Sequence, residues 1–531
     1  MNKNDIIELQ ITDIGVNGEG IGKFEGCTFF VKDAIIGDTV QAVVTKVKKG
    51  YAYAKMLKIL EPSEKRIAPV CPMASRCGGC QIMQMSYASQ LEFKENKVRG
   101  NLERLGGINF ENGPSFYPII GADMVEGDCV PTQYRNKMQF PIGKNKEGRI
   151  VTGFYAGRTH YIIETEKCLA SRPEDNKILA AVRSFVEEHR LSTYDETTGK
   201  GLLRHVMIRN GFSTGQVMVC LVINGDTLEK GCRCDVKDRD LEKKLVERLL
   251  EAEPKIASIC LNINKENTNA ILGRKNICLY GKEYITDELV CEGGALHFQI
   301  SPLSFFQVNS AQTSKLYGKA LEFADLKGEE NVWDLYCGIG TISLFLAGKA
   351  KKVYGVEIVP EAIEDAKNNA RRNGIENTEF FCGKSEEVFP QLANLPDEQG
   401  ETRSADVVVL DPPRKGCDKI LLDKIMEVGP EKIVYVSCDS ATLARDLKIL
   451  TSDEEAKYTY TLEKVQSVDM FPNTVHVETV VLLSREKVDG HIEIDLDVEK
   501  RKNYNVGSGE GRVPTCPQDK EEAIMDVPEV E

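Results

Sequence analysis

Hydrophobic and polar positions change rhythm three times along this chain. Between residues 5 and 60, apolar residues come in short alternating runs such as Ile6-Ile7-Glu8-Leu9-Gln10-Ile11 and Thr39-Val40-Gln41-Ala42-Val43-Val44, broken by glycine turns such as Gly18-Glu19-Gly20-Ile21-Gly22. A period of two marks a half-buried strand, and five short strands of this kind suit a small oligonucleotide-binding barrel. A helical stretch covers about 87–105, and a mixed, β-rich region runs over 125–290. From about Phe298 strands alternate with helical patterns until Leu483, which predicts an open α/β sheet. After Ser484 the periodicity ends, and the segment with Gly507-Ser508-Gly509-Glu510-Gly511 has the composition of a disordered tail.

An open α/β sheet builds its site at the carboxyl ends of its strands, so those ends come next. Asn331-Val332-Trp333-Asp334-Leu335-Tyr336-Cys337-Gly338-Ile339-Gly340-Thr341 is a strand entering a glycine turn. The next strand, Lys352–Glu357, ends in a carboxylate 17 residues after Gly340, placed to accept bonds from ribose hydroxyls. Ser343 stands where a dinucleotide fingerprint has its third glycine, which favours S-adenosylmethionine over a dinucleotide. A later strand ends in Asp411-Pro412-Pro413-Arg414, where the prolines fix the direction of Asp411. Another, Lys432–Val436, leads into Ser437-Cys438-Asp439 and a helical pattern. A thiol there is a candidate nucleophile, and a helix N-terminus can lower its pKa.

Composition adjusts this picture. The formal net charge of −14 argues against nucleic acid, but Glu486–Glu531 holds 13 acidic and 6 basic residues, a net of −7 and half the total. Lys46, Lys48, Lys49, Lys55 and Lys58 interleave with Tyr51 and Tyr53, and cations between aromatics suit a nucleic-acid surface. A second such stretch runs from Tyr134 to His160, with Arg135, Lys137, Lys144, Lys146, Arg149 and Arg158 among Tyr134, Phe140, Phe154 and Tyr155. No apolar run approaches a membrane span and no leader is visible, so a cytoplasmic protein is expected, with no membrane and no protein partner indicated. In a reducing compartment, clustered thiols point to metal or catalysis rather than disulfides. Cys71, Cys77 and Cys80 form such a cluster, C-x5-C-x2-C, for which spacing alone leaves zinc and a [4Fe–4S] cluster open.

Asp334-Leu335-Tyr336-Cys337-Gly338, Asp411-Pro412-Pro413-Arg414, Ser437-Cys438 and His476-Val477-Glu478-Thr479-Val480, in this order, resemble the RNA uracil-5-methyltransferases of the TrmA/RumA type, nearest the branch acting on 23S ribosomal RNA. Residues 7–60 look like a TRAM domain. The resemblance implies Cys438 as nucleophile and Glu478 as base, with His476 a rival base two residues away. It implies donor contacts from Gln307, Tyr336, Glu357 and Asp411, while Thr341 and Lys384 depart from some members. It implies a [4Fe–4S] cluster held by Cys71, Cys77, Cys80 and Cys168, structural because all four ligands are filled. A TRAM-bearing radical methylthiotransferase is one rival reading, disfavoured by the cysteine spacing; a non-catalytic RNA-binding protein with a relic methyl-donor fold is another, and transfer RNA is the rival substrate.

The expected fold is therefore α/β overall, in four stretches. An OB-like TRAM barrel covers 1–62, and an iron–sulfur and RNA-binding β-rich domain covers 63–294, with helix 87–105 able to pack on the catalytic domain. A Rossmann-like methyltransferase domain covers 295–484, and the acidic tail 485–531.

Overall fold

The computed structural model describes residues 2–486 except 158, 230–239, 269, 398–399 and 454–455. From 487 onward the expected disordered tail lies outside the described residues, as does Arg158 of the expected basic surface.

Alternation closes the first region on itself. β1 (Ile6–Ile14), β2 (Gly20–Phe24), β3 (Cys27–Lys32), β4 (Thr39–Val47) and β5 (Tyr51–Glu61) form a closed barrel in the order β1-β2-β3-β5-β4. Ile7, Leu9 and Ile11 of β1 point inward onto Phe29, Val31, Val40 and Val44, while the residues between them face out. Closure leaves no sheet edge to pair with another chain. The β1–β2 turn needs glycine at position 18. Its φ is +86°, and a Cβ there would lie 2.7 Å from Gln81 Cβ and 3.4 Å from Val475 Cγ1.

α1 (Tyr87–Arg104) starts at Ser86, whose side chain caps Ser89 N–H. It and β6 (Ser115–Ile120) join the C-terminal layer, so the fold divides the stretch read as one domain over 63–294. The middle of the chain forms a seven-stranded sheet. Its strands are β7 (Lys137–Lys144), β8 (Ile150–Tyr155), β9 (Ile162–Glu164), β10 (Leu203–Asn210), β11 (Val217–Ile223), β12 (Ile256–Ile263) and β13 (Lys275–Gly281), in the order β13-β12-β11-β10-β7-β8-β9. α2 (Pro173–Glu188) and α3 (Leu241–Ala252) cover one face through Ile178, Val182, Phe185, Leu245 and Leu249. The other face, with Met207, Met218, Cys220 and Cys260, packs on Phe298, Phe306 and Leu316. Those belong to the hairpin β14 (Ile285–Cys291) and β15 (Gly294–Ile300), the loop after it, and α4 (Ser310–Ala324). Covered on both sides, β11 is apolar throughout rather than alternating.

The last region alternates β16 (Asn331–Asp334), α5 (Thr341–Ala347), β17 (Lys352–Glu357), α6 (Pro360–Arg372), β18 (Thr378–Cys382), α7 (Ser385–Leu392), β19 (Val407–Leu410), α8 (Lys419–Val428), β20 (Lys432–Ser437), α9 (Ser440–Ser452), β21 (Tyr460–Val468) and β22 (Glu478–Arg485). The sheet order is β18-β17-β16-β19-β20-β22-β21-β6. β16 to β20 are mutually parallel, and the chain changes direction between β16 and β19. Such a switch point opens a crevice beyond the strand ends. β22 lies antiparallel between β20 and β21, so its first residue, Glu478, reaches the edge where the parallel strands finish.

Candidate active site

The strand ends converge on a cavity of about 700 Å³. Gln307, Tyr336, Glu357, Asp411, Cys438 and Glu478, the six donor-site and catalytic residues read from the sequence, all line it. So do Thr341, Lys384 and His476.

One half of the cavity is set by local backbone. Gly338 and Gly340 turn the chain after β16 with φ of +53° and +83°, conformations that favour glycine. Gly338 N–H donates to Glu357 Oε2 at 3.2 Å, and Val359 N–H to Oε1 at 2.9 Å, so both oxygens of that carboxylate are held. Beneath the turn, Asp334 is fully buried and accepts from Ser343 Oγ at 2.6 Å, while its Oδ1 has no partner. Burial pushes its carboxyl up to about 6. The backbone oxygen of Gln307 accepts from Asn136 Nδ2 at 2.8 Å. A glycine turn beside the carboxylate at the end of β17 suits S-adenosylmethionine, a cationic nucleoside.

Sequence reasoning missed Tyr317 of α4. Its ring is buried in the wall of this half, which Thr341 and Gln307 also line. A tyrosine in an apolar helical stripe reads as core, so the pattern held no signal for it. Lys384 keeps to the rim and pairs with Glu387 at 3.1 Å.

The other half carries Cys438 and Glu478. In the antiparallel register, Ser437 pairs with Thr479, which sets the next residue, Cys438, beside Glu478. Cys438 immediately precedes Asp439, which caps α9 by accepting from Ala441 and Thr442 N–H at 2.9 and 3.3 Å. The helix end was expected to lower the thiol pKa. Instead burial, then Glu478 and Asp411, push it up to about 12, with Arg414 opposing. Desolvation and two carboxylates outweigh one helix end. Glu478 is 2% exposed, and its Oε2 has no hydrogen-bond partner. Burial, then Asp411, raise it to about 8. Burial and Asp334 raise Asp411 to about 7. Burial, then Arg414, Lys97 and Lys94, bring His476 down to about 4, leaving a neutral and weakly basic imidazole.

The loop between β21 and β22, which leads to Glu478, is held by α1. Lys94 Nζ, fully buried, reaches Asp469 Oδ1 at 2.5 Å and Phe471 O at 2.9 Å. Tyr87 Oη donates to the other Asp469 oxygen at 2.9 Å. Gln90 and Asn473 exchange bonds of 3.2 and 2.9 Å, and Lys97 Nζ donates to Val475 O at 2.8 Å. Asn101 Nδ2 donates to Ser440 Oγ at 2.8 Å, at the start of α9.

The expected metal ligands lie elsewhere. Among the described residues no three His, Cys, Asp or Glu side chains are gathered closely enough to hold a metal ion. The four cysteines are neighbours all the same. Cys77 makes a bridge to Ala156 at the end of β8, and Cys80 is pushed up to about 12 by burial, then by Cys168, Cys77 and Cys71. Burial likewise raises Cys168, with Cys77 and Cys71 adding to it. The expected surface from Tyr134 to His160 is corrected in part. Tyr134 and Phe140 are buried, and the Tyr134 hydroxyl donates to Pro472 O at 3.0 Å, so they serve the interior rather than an RNA face.

A closed barrel, a methyltransferase sheet and this cavity define an S-adenosylmethionine-dependent methyltransferase with an N-terminal TRAM domain. The family described as tRNA (Uracil-5-)-methyltransferase matches residues 241–486, and the TRAM domain matches 2–57. An RNA methyltransferase of Clostridium tetani is 48% identical over 486 residues, covering 91% of this chain and 97% of its own. One from Halalkalibacterium halodurans is 44% identical over 483 residues, covering 91% and 98%. The crystal structure of Pyrococcus abyssi tRNA (uracil-54, C5)-methyltransferase with S-adenosyl-L-homocysteine is similar at a TM-score of 0.66 and 26% identity, covering 90% of this chain and 100% of that one. The chain belongs to the RNA uracil-5-methyltransferase family.

Proposed function

We propose that this enzyme methylates carbon 5 of a uridine in 23S ribosomal RNA, through a covalent bond from Cys438 to carbon 6. The observation that carries the reading is the pairing of a cavity thiol with a buried carboxylate whose oxygen has no partner, beside the donor half. Gln307, Tyr336, Glu357 and Asp411 would hold S-adenosylmethionine, which supplies an electrophilic methyl group. Carbon 5 of uracil is a poor nucleophile. As Cys438 sulfur bonds carbon 6, its proton passes to the carboxylates and out to solvent, and the ring becomes an enolate that can attack that methyl. Glu478, as carboxylate, then takes the carbon 5 proton, and the sulfur–carbon bond breaks. Covalent catalysis of this kind divides one hard step into easier ones. Glu478 suits the base role better than His476, because a base works best with a pKa near the operating pH. The target base must leave its stack to enter the cavity.

The TRAM barrel supports ribosomal RNA, while the Pyrococcus abyssi relative acts, by its name, on transfer RNA. One incubation tests both: labelled S-adenosylmethionine with 23S ribosomal RNA and with total transfer RNA, followed by nucleoside analysis. Labelled 5-methyluridine in the ribosomal RNA is expected. Label confined to transfer RNA changes the substrate, and no 5-methyluridine in either overturns the reading.

We further propose a [4Fe–4S] cluster on Cys71, Cys77, Cys80 and Cys168. A single zinc draws its four sulfurs onto one ion at about 2.3 Å. A cluster binds each sulfur to a different iron, and Cys80 and Cys168 both feel Cys71 and Cys77. Protein purified anaerobically should carry about four irons per chain. Stoichiometric zinc without iron would overturn this. Reduced thiols of this kind agree with a cytoplasmic enzyme, and no described helix is long and apolar enough to cross a membrane.

A further inference from the structure

We propose that a trough on the central sheet is the track for single-stranded RNA flanking the target uridine. This rests on RNA uridine being the substrate.

The trough lies between the β8–β9 edge and the loop 190–201, with a volume of about 880 Å³. A second hollow of about 480 Å³ continues it, sharing Tyr155 and His160 and reaching Gly78 and Gly79 of the cysteine loop. The rings of Tyr155 and His160 meet at 5.5 Å, and Tyr161 is 41% exposed. Every nucleobase offers a face to such rings, so stacking of this kind tolerates any sequence.

The charges along the wall are unbalanced in a useful way. Lys144, Arg190 and Lys200 line the trough, and none has a carboxylate partner among the described residues. The acids beside them, Glu187, Asp195 and Glu196, stay charged, so the wall carries four cations against three acids, and each acid is held by a local partner. Glu187 Oε1 accepts from Ile150 N–H at 3.3 Å, and Asp195 Oδ1 from Thr197 and Thr198 N–H at 2.8 and 3.1 Å. Glu196 lies 3.8 Å from Arg204. Arg204 is an independent sign of a ligand. It is 3% exposed, lies over the Tyr194 ring at 4.3 Å, and donates through Nη1 to Asn264 O and Glu266 O at 3.1 and 2.7 Å. Its Nε–H has no acceptor, although buried donors are nearly always satisfied. Free cations, stacking rings and an unmet buried donor along an open groove fit a polyanion with flat bases.

The test uses the full chain, with Lys144→Ala/Lys200→Ala and Tyr161→Ala. These three side chains are exposed, and unchanged S-adenosylmethionine binding verifies the fold of each variant. Binding of a 15-nucleotide oligouridylate is measured across salt concentrations, together with methylation of a 23S ribosomal RNA transcript. The double variant should show a log–log salt slope shallower by about 1.4, the loss of two phosphate contacts on a single strand. Tyr161→Ala should bind roughly tenfold more weakly, one stacked base lost. With the transcript, KM should rise while kcat holds. Slopes, affinities and KM matching wild type, with wild type making 5-methyluridine, would overturn the trough alone. Weakened binding in the variants while wild type makes no 5-methyluridine would leave the trough standing and overturn the uridine reading.

Discussion

In the donor half of the cavity, Glu357 is fixed by the N–H groups of Gly338 and Val359, at most 19 residues away in sequence. In the reaction half, the loop leading to Glu478 is fixed by Lys94, 375 residues before its partner Asp469. The Glu357 side of the first half can assemble as soon as two neighbouring strands pair. The second needs a helix from the front of the chain to dock on its end. Donor binding and base chemistry should therefore fail separately.

The sharpest cut is Cys438→Ala. It should reduce methylation to background and abolish the covalent adduct with RNA containing 5-fluorouracil, while S-adenosylmethionine binding stays at the wild-type level. Turnover in this variant would remove the nucleophile from Cys438. Glu478→Gln comes next, with turnover lower by about 10²–10⁴-fold and a stable adduct with ordinary RNA, because addition proceeds and elimination stalls. Burial raises the Glu478 carboxyl to about 8, and a base must be ionised to act. kcat should therefore rise with pH through about 8, and Glu478→Gln should lose that inflection. If instead His476→Ala stalls and Glu478→Gln does not, the base has been misassigned.

Lys94→Met tests the dependence on α1. Leaving Asp469 buried without its cation should cost about 3–5 kcal/mol of stability, measurable by urea unfolding. Misplacing the base should lower kcat about 10²-fold and accumulate adduct, with donor affinity kept. A variant that loses donor affinity as much as turnover would show the two halves are one unit. The smallest effect belongs to Glu357→Gln. Weakening a charged hydrogen-bonding site should raise the donor dissociation constant about tenfold, with kcat retained at saturating donor.

The same division explains what could be read from the sequence. The glycine turn, the acid at the end of β17 and Asp411 before two prolines are local patterns, so their meeting at one cavity was legible, while Tyr317 in the same wall was not. The barrel was legible through the alternation of β1, which survives because closure leaves one face wet. Lys94 was not, since it looked like one more cation on a polar helix, and nothing in α1 announces that Asp469 will be buried beside it. The raised pKa of Cys438 was also hidden, because the helix end is visible in sequence and the packing of Glu478 and Asp411 is not. Tyr134 and Phe140 were misread for a related reason, since interleaved aromatics and cations do not say which side of a strand becomes interior.

β22 carries a constraint of another kind. Val480, Val481, Leu482 and Leu483 are buried on both sides of the sheet, so its apolar content reads the same if the strand slips by one position. A slip would nonetheless turn Glu478 to the opposite side. The register is therefore guarded by the anchors at Asp469 and Asn473, not by the strand's own composition. In evolutionary terms, β22 can exchange one aliphatic residue for another freely, yet a single codon gained or lost between Asn473 and Thr479 would silence the enzyme while leaving a well-packed fold behind.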